Sequence, residues 1–325
     1  MDVTELLGQA SAAGASDLHL AVGEVPLLRL DGELRRLDLL PLTAGALEQG
    51  MAALLDDEQC RQWLAGDELD LVLSLSGVGR FRLNLFRQCK GLGVSVRLIP
   101  PQLPTIEALE LVELFEHIAG CRDGLVLIGG PTGSGKSSTL AALVDRLNRD
   151  YALHIVTLED PIEFIHSGQR SLVNQREVGS HSRDLAQGLR SALRQDPDVI
   201  VIGELRDLES IRLALRAAET GHLVLATVHT RSAVNSVDRL VEVFAPEEKP
   251  LVRTMLAESL RLVVAQVLVR RRGGGRVAAR EVLVVTPAVR NLVREGRMAQ
   301  VYSLMQSGGA VGMRTMEAAM RALGA

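Results

Sequence analysis

The segment Gly130-Pro-Thr-Gly-Ser-Gly-Lys-Ser137 has the residue types and spacing of a loop that binds nucleotide phosphates. Glycines allow backbone N–H groups to turn toward phosphate oxygens, and the start of the following helix adds partial positive charge. In this pattern Lys136 neutralises β- and γ-phosphate oxygens, and the hydroxyl of Ser137 binds Mg²⁺. The sequence therefore predicts a site for ATP and Mg²⁺. The residues expected to contact the nucleotide are Gly130, Thr132, Gly133, Ser134, Gly135, Lys136, Ser137 and Ser138.

Two acidic segments follow apolar runs that are typical of buried parallel strands. Side chains at the carboxyl ends of such strands face the ligand crevice of the sheet. Carboxylates there suit Mg²⁺ binding and general-base work on water, although the second segment alone could also be a solvent-exposed acidic turn. For Glu204, water-mediated Mg²⁺ binding and polarisation of the attacking water both stay open. The carboxylates are Glu204 in the first segment and Glu159, Asp160 and Glu163 in the second.

A third strand-like segment, 223–228, has a histidine on either side of it. His229 follows the carboxyl end of this strand and stands beside Thr230, where a side chain that senses the γ-phosphate would lie. His222 precedes the strand, and it could contact a neighbouring subunit or serve the structure alone. We therefore include His229 among the predicted nucleotide-binding residues.

A proline-rich segment, 100–105, divides the sequence into two parts with different patterns. Three of its residues are proline, which disfavours helix and strand pairing and favours an extended linker. Residues 1–99 combine strand-like alternation with a helical pattern over 44–65. Residues 106–325 alternate short apolar runs with amphipathic helical patterns, which predicts a parallel sheet covered by helices. The expected fold class is α/β, with a smaller α+β domain before the linker.

Three local patterns predict particular elements. The Asp31-Gly32 pair lies between short apolar segments and is typical of a hairpin turn. Gly221 stands where a glycine commonly ends a helix. The stretch 246–270 has a long helical pattern, and we expect one helix there.

The composition excludes several classes of protein. With 325 residues, 47% of them hydrophobic, the chain can bury a large core, which excludes intrinsic disorder. The longest apolar runs are far too short to span a membrane, and the acidic start lacks the features of a signal peptide. Three widely spaced cysteines argue against a disulfide framework or a structural zinc site. We therefore expect a cytoplasmic protein.

Four motifs occur in the order found in the secretion-type AAA-like ATPases: the phosphate loop, the acidic segment around Glu163, the strand before Glu204 and the segment ending at His229. The chain resembles this family over nearly its whole length. The segments 15–20 and 29–35 resemble the family's PAS-like N-terminal domain. The resemblance implies a RecA-like P-loop NTPase core behind that domain.

A narrower resemblance is to the type IV pilus retraction ATPases of that family. It is carried by Asn174-Gln-Arg-Glu-Val, Leu205-Arg-Asp-Leu-Glu-Ser-Ile-Arg and Ala288-Val-Arg-Asn-Leu-Val-Arg-Glu295. The resemblance implies a homohexameric ATP-hydrolysing motor that powers pilus retraction from the cytoplasmic face of the inner membrane. Its implied partner is an inner-membrane platform protein, through which the motor associates peripherally with the membrane.

The resemblance also implies roles for individual residues. Glu163 becomes the general base, and Glu204 coordinates Mg²⁺ and water. The residue patterns themselves make Lys136 the third catalytic residue and add Ser137, Glu159 and Asp160 to Glu204 as expected metal ligands. Three arginines match positions from which family members supply positive charge to the nucleotide: Arg82, Arg97 and Arg239. One departure is the segment Ala226-Thr-Val-His229, in which glycine usually stands first.

Other functions stay open at this point. Related ATPases serve secretion, DNA transfer or pilus assembly, although assembly and type II secretion ATPases usually carry a tetracysteine zinc module that this sequence lacks. A nucleic-acid translocase is disfavoured by the net charge of −4 and by only 2% aromatic residues, so no specific nucleic acid is expected. A non-hydrolysing regulatory protein is disfavoured by Lys136, Glu163 and Glu204. The segment 261–297 holds nine arginines and two glutamates, and these could face an acidic partner, membrane phospholipid or solvent.

Overall fold

The computed structural model describes residues 2–99, 102–271 and 274–324. The chain forms two compact units, Met1–Gln102 (unit 1) and Leu103–Ala325 (unit 2). The division lies inside the proline-rich segment, of which Pro100 and Pro101 fall outside the described residues. Among the described helices, none is both long enough and apolar enough to cross a membrane.

The described part of unit 1 is a six-stranded antiparallel sheet with helices packed against it. The strands follow the order β3-β2-β1-β6-β5-β4. The elements are α1 (Val3–Ala12), β1 (Asp17–Ala21), β2 (Leu27–Leu30), β3 (Glu33–Arg36), α2 (Ala44–Ala52), α3 (Asp57–Ala65), β4 (Leu69–Leu75), β5 (Gly79–Gln88) and β6 (Gly91–Ile99).

The core of unit 1 forms because alternate residues of its strands are apolar. Phe81, Leu83 and Leu85 of β5 are almost completely buried, and Trp63 of α3 joins the same cluster with 1% of its surface exposed. The predicted helical stretch 44–65 is two helices, since Asp56 starts α3 by accepting a hydrogen bond from the N–H of Gln59.

The predicted hairpin turn joins β2 and β3. Asp31 and Gly32 both have positive φ, 49° and 88°, as a tight two-residue turn requires.

Unit 2 contains a seven-stranded sheet in the order β13-β12-β7-β11-β10-β8-β9. The pairs are parallel except that β13 runs antiparallel to β12. Its strands are β7 (Gly124–Gly129), β8 (His154–Glu159), β9 (Leu172–Glu177), β10 (Val199–Ile202), β11 (Leu223–Val228), β12 (Leu260–Arg270) and β13 (Arg276–Val284). Its α-helices are α4 (Val112–Ala119), α5 (Lys136–Asp150), α6 (Leu185–Ala192), α7 (Leu208–Glu219), α8 (Ala233–Glu242), α9 (Lys249–Ser259), α10 (Pro287–Glu295), α11 (Met298–Ser307) and α12 (Met316–Leu323).

Helices cover both faces of this sheet, so its central strands are buried and mostly apolar, with β10 apolar at every residue. In β7, Leu125 and Leu127 pack into the core shared with α7 to α11, whereas Val126 and Ile128 pack into the core shared with α4 and α5. The carboxyl ends of β7, β11, β10 and β8 stand side by side at one edge. The loops that follow these strands are therefore brought together, as expected for a parallel α/β sheet.

The prediction of one helix over 246–270 is wrong in its second half. The helix α9 ends at Ser259, and the chain continues directly into the strand β12. Residues 260–270 include four valines, and β-branched side chains favour strands because their χ1 rotation is already restricted. The strand pairs with β7 on one side and β13 on the other, which supplies hydrogen bonds along its length.

A buried carboxylate joins two helix starts in unit 2. Glu281 of β13 is 2% exposed and accepts hydrogen bonds from the N–H of Ala233 at 2.6 Å and of Met316 at 3.2 Å. These residues are the first of α8 and of α12. A carboxylate at a helix N-terminus is stabilised by the N–H groups and the helix dipole. Glu281 thus ties the last helix of the chain to α8.

Candidate active site

The predicted phosphate loop lies between β7 and α5. Gly133 and Gly135 have φ of +76° and +87°, a region that other residues avoid. A Cβ on Gly130 would collide with the carbonyl oxygen of Gln266, 2.6 Å away. Within the described chain, no side chain caps the start of α5 at Lys136. The N–H groups of its first turn are therefore suited to bind an anion.

Lys136 interacts electrostatically with both predicted catalytic carboxylates. Its Nζ donates to the carbonyl oxygens of Gly130 at 2.7 Å and Pro131 at 3.0 Å. Burial lowers the pKa of Lys136, and the nearby carboxylates of Glu204 and Glu163 oppose this shift without cancelling it. The two acidic residues belong to different strand ends, yet both act on the same ammonium group.

Glu204 follows β10, and its carboxylate contacts the side chains of Arg206 and His229. Its Oε2 lies 2.6 Å from a guanidinium nitrogen of Arg206 and 3.0 Å from Nε2 of His229. Burial raises the pKa of Glu204, but the contacts with Arg206 and His229 outweigh burial, so the pKa lies below its ordinary value. Glu204 is therefore an anion at neutral pH, with 20% of its side chain exposed.

The second acidic segment forms a loop after β8. Glu159 Oε1 accepts hydrogen bonds from the Thr157 hydroxyl at 2.6 Å and from Nε2 of Gln175 at 3.0 Å, and Asp160 is exposed. The Asp160–Pro161 peptide is cis. Glu163 is half-buried, between the buried residues Ile162 and Phe164.

The oxygen donors fit a Mg²⁺ ion that is shared with phosphates. Among the described residues, no three histidine, cysteine or acidic side chains cluster as a metal site of their own. Mg²⁺ is usually held by one or two protein oxygens together with phosphate and water, so such a cluster is not needed. Ser137 in the first turn of α5 and the ionised Glu204 are suited to that role, whereas Glu159 already accepts two protein hydrogen bonds.

The three predicted arginines lie in different units. Arg82 and Arg97 are directly opposite each other on β5 and β6 of unit 1. Arg82 forms two hydrogen bonds with Asp70, at 2.6 and 3.0 Å, and Arg97 lies 3.2 Å from Asp17. In unit 2, α8 carries Arg239. It lines a cavity of about 350 Å³ whose other walls include Glu204, Arg206 and His229.

The family model described as "Type II/IV secretion system protein" matches residues 2–274. The chain belongs to this family. Two relatives in the secretion family are the type IV pilus retraction ATPase PilT of Pseudomonas aeruginosa and the twitching motility protein of Neisseria gonorrhoeae. The first is 50% identical over 99% of this chain and 94% of the relative. The second is 45% identical over 92% of this chain and 80% of the relative.

A solved structure of the pilus retraction motor PilT with bound ADP has the same fold. It superposes with a TM-score of 0.86 at 39% identity, over 99% of this chain and 97% of the solved chain. The chain is therefore a secretion-family ATPase with the α/β fold that the sequence predicted. The ADP in that structure supports the prediction that this chain binds a nucleotide.

Two polar residues near the site of this secretion ATPase were missed by the sequence analysis. Gln266 of β12 is 1% exposed; its Nε2 donates to the Ser134 carbonyl at 2.8 Å, and its Oε1 accepts from the Thr139 hydroxyl at 2.9 Å. It thus holds both the phosphate loop and α5. Its signal in the sequence is one amide inside an apolar run. Arg206, the second residue, stands two positions after Glu204.

Proposed function

We propose that this chain is a homohexameric ATP-driven motor that powers type IV pilus retraction. It acts at the cytoplasmic face of the inner membrane on a platform protein, and it reaches the membrane through that partner. The observation that carries the proposal is 50% identity to the retraction ATPase PilT over nearly the whole of both chains. Further support comes from the twitching motility protein of Neisseria gonorrhoeae, at 45% identity.

In this motor the phosphate loop binds ATP through backbone N–H groups and the Lys136 ammonium. The N-terminus of α5 adds favourable charge at the same end of the site. When bound, Mg²⁺ supplies positive charge to the phosphoryl oxygens, and Ser137 and Glu204 would hold it. Glu159, which already accepts two protein hydrogen bonds, and Asp160, which is exposed, are less suited to bind it. The electrostatic attraction between the Glu204 carboxylate and the Lys136 ammonium supports this arrangement.

Glu163 is the general base in our proposal. A half-buried carboxylate on the loop after β8 can accept the proton of the water that attacks the γ-phosphate. Glu204 is less suited to this task, because Arg206 and His229 both bond to its Oε2 and lower its pKa. His229, bonded to Glu204, is placed to relay the presence of the γ-phosphate to that carboxylate.

Arginines complete the charge compensation in the proposed ring. Arg82, Arg97 and Arg239 supply positive charge to the phosphoryl group, the first two from unit 1. Such arginines can accelerate phosphoryl transfer by roughly 10³-fold or more. In the proposed hexamer, one subunit donates arginines to the nucleotide of its neighbour. ATP turnover would therefore depend on assembly of the ring.

Deletion of the gene in its host tests the direction of work. We expect hyperpiliated cells that have lost twitching motility, because pili would still assemble without being withdrawn. Complementation with the wild-type chain should restore both phenotypes, and complementation with Lys136→Ala should restore neither. Cells without surface pili would contradict retraction and indicate an assembly motor. Normal pili with a secretion or DNA-transfer defect would indicate a related secretion machine.

A further inference from the structure

The strand β9 forms one edge of the unit 2 sheet and holds the loop that carries Glu163. Two side chains that are two residues apart, Gln175 and Glu177, face this loop and bond to it. They belong to the segment Asn174–Val178, which lies outside the phosphate loop and outside the acidic segment 159–163. Their contacts with the loop are specific enough to assign them a task.

Gln175 uses both ends of its amide on the loop. Its Oε1 accepts the N–H of His166 at 2.7 Å, and its Nε2 donates to the carbonyl oxygen of Phe164 at 2.8 Å. The same Nε2 donates to Glu159 Oε1 at 3.0 Å. One half-buried side chain thus fixes the backbone just after Glu163 and also the end of β8.

Glu177 fixes the backbone just before Glu163. Its Oε2 accepts the N–H of Ile162 at 3.0 Å, and its Oε1 accepts the hydroxyl of Ser180 at 3.1 Å. The side chains of Ile162 and Phe164 are buried, at 9% and 5% exposure. The residues on both sides of Glu163 are therefore anchored twice, by backbone hydrogen bonds from β9 and by apolar packing.

We propose that Gln175 and Glu177 are positioning residues that hold the Glu163 carboxylate where it can accept a proton from the attacking water. This inference rests on the proposed role of Glu163 as the general base. A general base must lie within hydrogen-bond reach of the proton that it removes. A displacement of about 1 Å can lower the rate by roughly 10²-fold. Neither residue belongs to the phosphate loop, so their loss should reduce turnover more than nucleotide binding.

The two positions allow a matched pair of substitutions. Glu177→Leu removes the acceptor for the Ile162 N–H. Glu177→Gln keeps that acceptor, and its amide nitrogen can donate to the Ser180 hydroxyl oxygen. At the other position, Gln175→Leu removes both donor and acceptor from a side chain of similar size. Asn174→Ala is a control on the same strand, because Asn174 contacts His154 rather than the loop.

The experiment measures kcat for ATP hydrolysis, the Kd of a fluorescent ADP analogue and Tm for each full-length variant. We expect Glu177→Leu and Gln175→Leu to lower kcat about 10-fold or more, with the Kd within about twofold of wild type. Glu177→Gln and Asn174→Ala should keep kcat within about twofold. The restoration by Glu177→Gln separates positioning by a hydrogen bond from any task that needs the charge of Glu177.

Several outcomes would overturn the inference. Wild-type kcat in Glu177→Leu and Gln175→Leu would show that the loop needs no clamp. Equal losses in Glu177→Gln and Glu177→Leu would show that the charge is what matters. A third contradicting result is that nucleotide affinity, Tm and kcat all fall together and that Glu177→Gln restores none of them. The two residues would then have only a structural role. Glu163→Gln, measured beside them, separates the two levels: wild-type turnover there removes the base assignment itself, whereas inactivity there with active β9 variants removes only the positioning role.

Discussion

The Glu163 carboxylate acts electrostatically on the Lys136 ammonium, and the proposed mechanism gives the two residues different tasks. In that proposal the ammonium binds phosphate charge, whereas the carboxylate takes up a proton from water. Since Glu163 influences the Lys136 pKa, replacing either residue also changes the charge around the other. Kinetic and binding measurements together are therefore needed to separate their roles.

We expect Lys136→Ala to abolish ATP turnover and to weaken nucleotide binding, because phosphate charge is then left uncompensated in a partly buried loop. Glu163→Gln should keep nucleotide binding and lower kcat by roughly 10² to 10⁴-fold, since an amide cannot accept the proton. Steady-state ATPase assays and titration with a fluorescent nucleotide measure both effects. Wild-type turnover in Glu163→Gln would transfer the base role to Glu204.

Individual residues of the site differ in how far the sequence reveals them. Lys136 and the glycines of the loop were found from spacing alone, because the loop uses backbone geometry that few sequences allow. Glu163 and Glu204 were predicted from their positions after apolar runs, and their separate roles were implied by the family resemblance. Gln266 was missed because its partner Thr139 is 127 residues away in the sequence, and no local pattern marks that contact.

At the scale of elements, β12 supports the phosphate loop through Gln266. We expect Gln266→Leu to raise KM for ATP and to lower Tm. The Ser134 carbonyl and the Thr139 hydroxyl would be left buried without their partner, at a cost of about 1–3 kcal/mol for each group. Thermal unfolding and initial-rate kinetics measure the two effects.

The control for Gln266 is Thr139→Val, which removes only the hydroxyl. The double variant should be less destabilised than the sum of the single variants, because one shared hydrogen bond is counted twice in that sum. An unchanged KM in Gln266→Leu would contradict the support of the loop by β12.

The helix α10 has Thr286 as its N-cap and Pro287 as its first residue, a position that proline favours. Val289 and Val293 are buried, and Arg294 is exposed and lies 2.5 Å from Glu258 of α9. We expect the double variant Arg290→Ala, Arg294→Ala to keep ATPase activity near wild type and to abolish pilus retraction in cells. The reason is that α10 has no assigned group in the phosphate chemistry, whereas its exposed Arg294 could contact the proposed partner.

Purified-protein ATPase assays and twitching assays measure this separation. Glu258→Gln is the matched control, because it weakens the same ion pair and leaves both arginines in place. Cells that carry this variant should show normal twitching motility. If the double variant loses Tm and ATPase activity together, α10 stabilises the fold and has no coupling role.

The presence of a helix or strand was easier to predict from the sequence than the residues at which it ends. In apolar stretches it was also hard to predict whether the element is a helix or a strand. The apolar runs before Glu159 and Glu204 and the segment 223–228 were predicted as strands, and they are β8, β10 and β11. The stretch 246–270 was assigned wrongly because a short apolar run such as 262–265 is compatible with both a buried strand and a buried helix. The valines of β12 were the available signal, and the hydrogen bonds to β7 and β13 decide the outcome.

At the scale of the whole molecule, Arg82 and Arg97 belong to unit 1 whereas the phosphate loop belongs to unit 2. If these arginines reach the nucleotide in a ring, specific ATPase activity should rise with protein concentration as subunits assemble. Arg82→Ala and Arg97→Ala should lower kcat more than nucleotide affinity, by up to about 10³-fold. Activity and sizing measured over the same concentration series test this dependence.

The control for the arginines is Asp70→Asn, which weakens the ion pair with Arg82 and keeps the guanidinium. It should retain far more activity than Arg82→Ala. Constant specific activity down to concentrations at which sizing shows only monomers would contradict arginine donation between subunits.

The sequence contains one tryptophan, and Trp63 lies in the buried core of unit 1. Tryptophan emission excited at 295 nm therefore reports on the packing of unit 1 alone, whereas unit 2 is silent in that signal. Far-UV circular dichroism reports on the helices and strands of both units, so a transition seen there but not in tryptophan emission belongs to unit 2. Trp63 is thus an intrinsic fluorescent probe, with which the unfolding of unit 1 can be followed without modifying the protein.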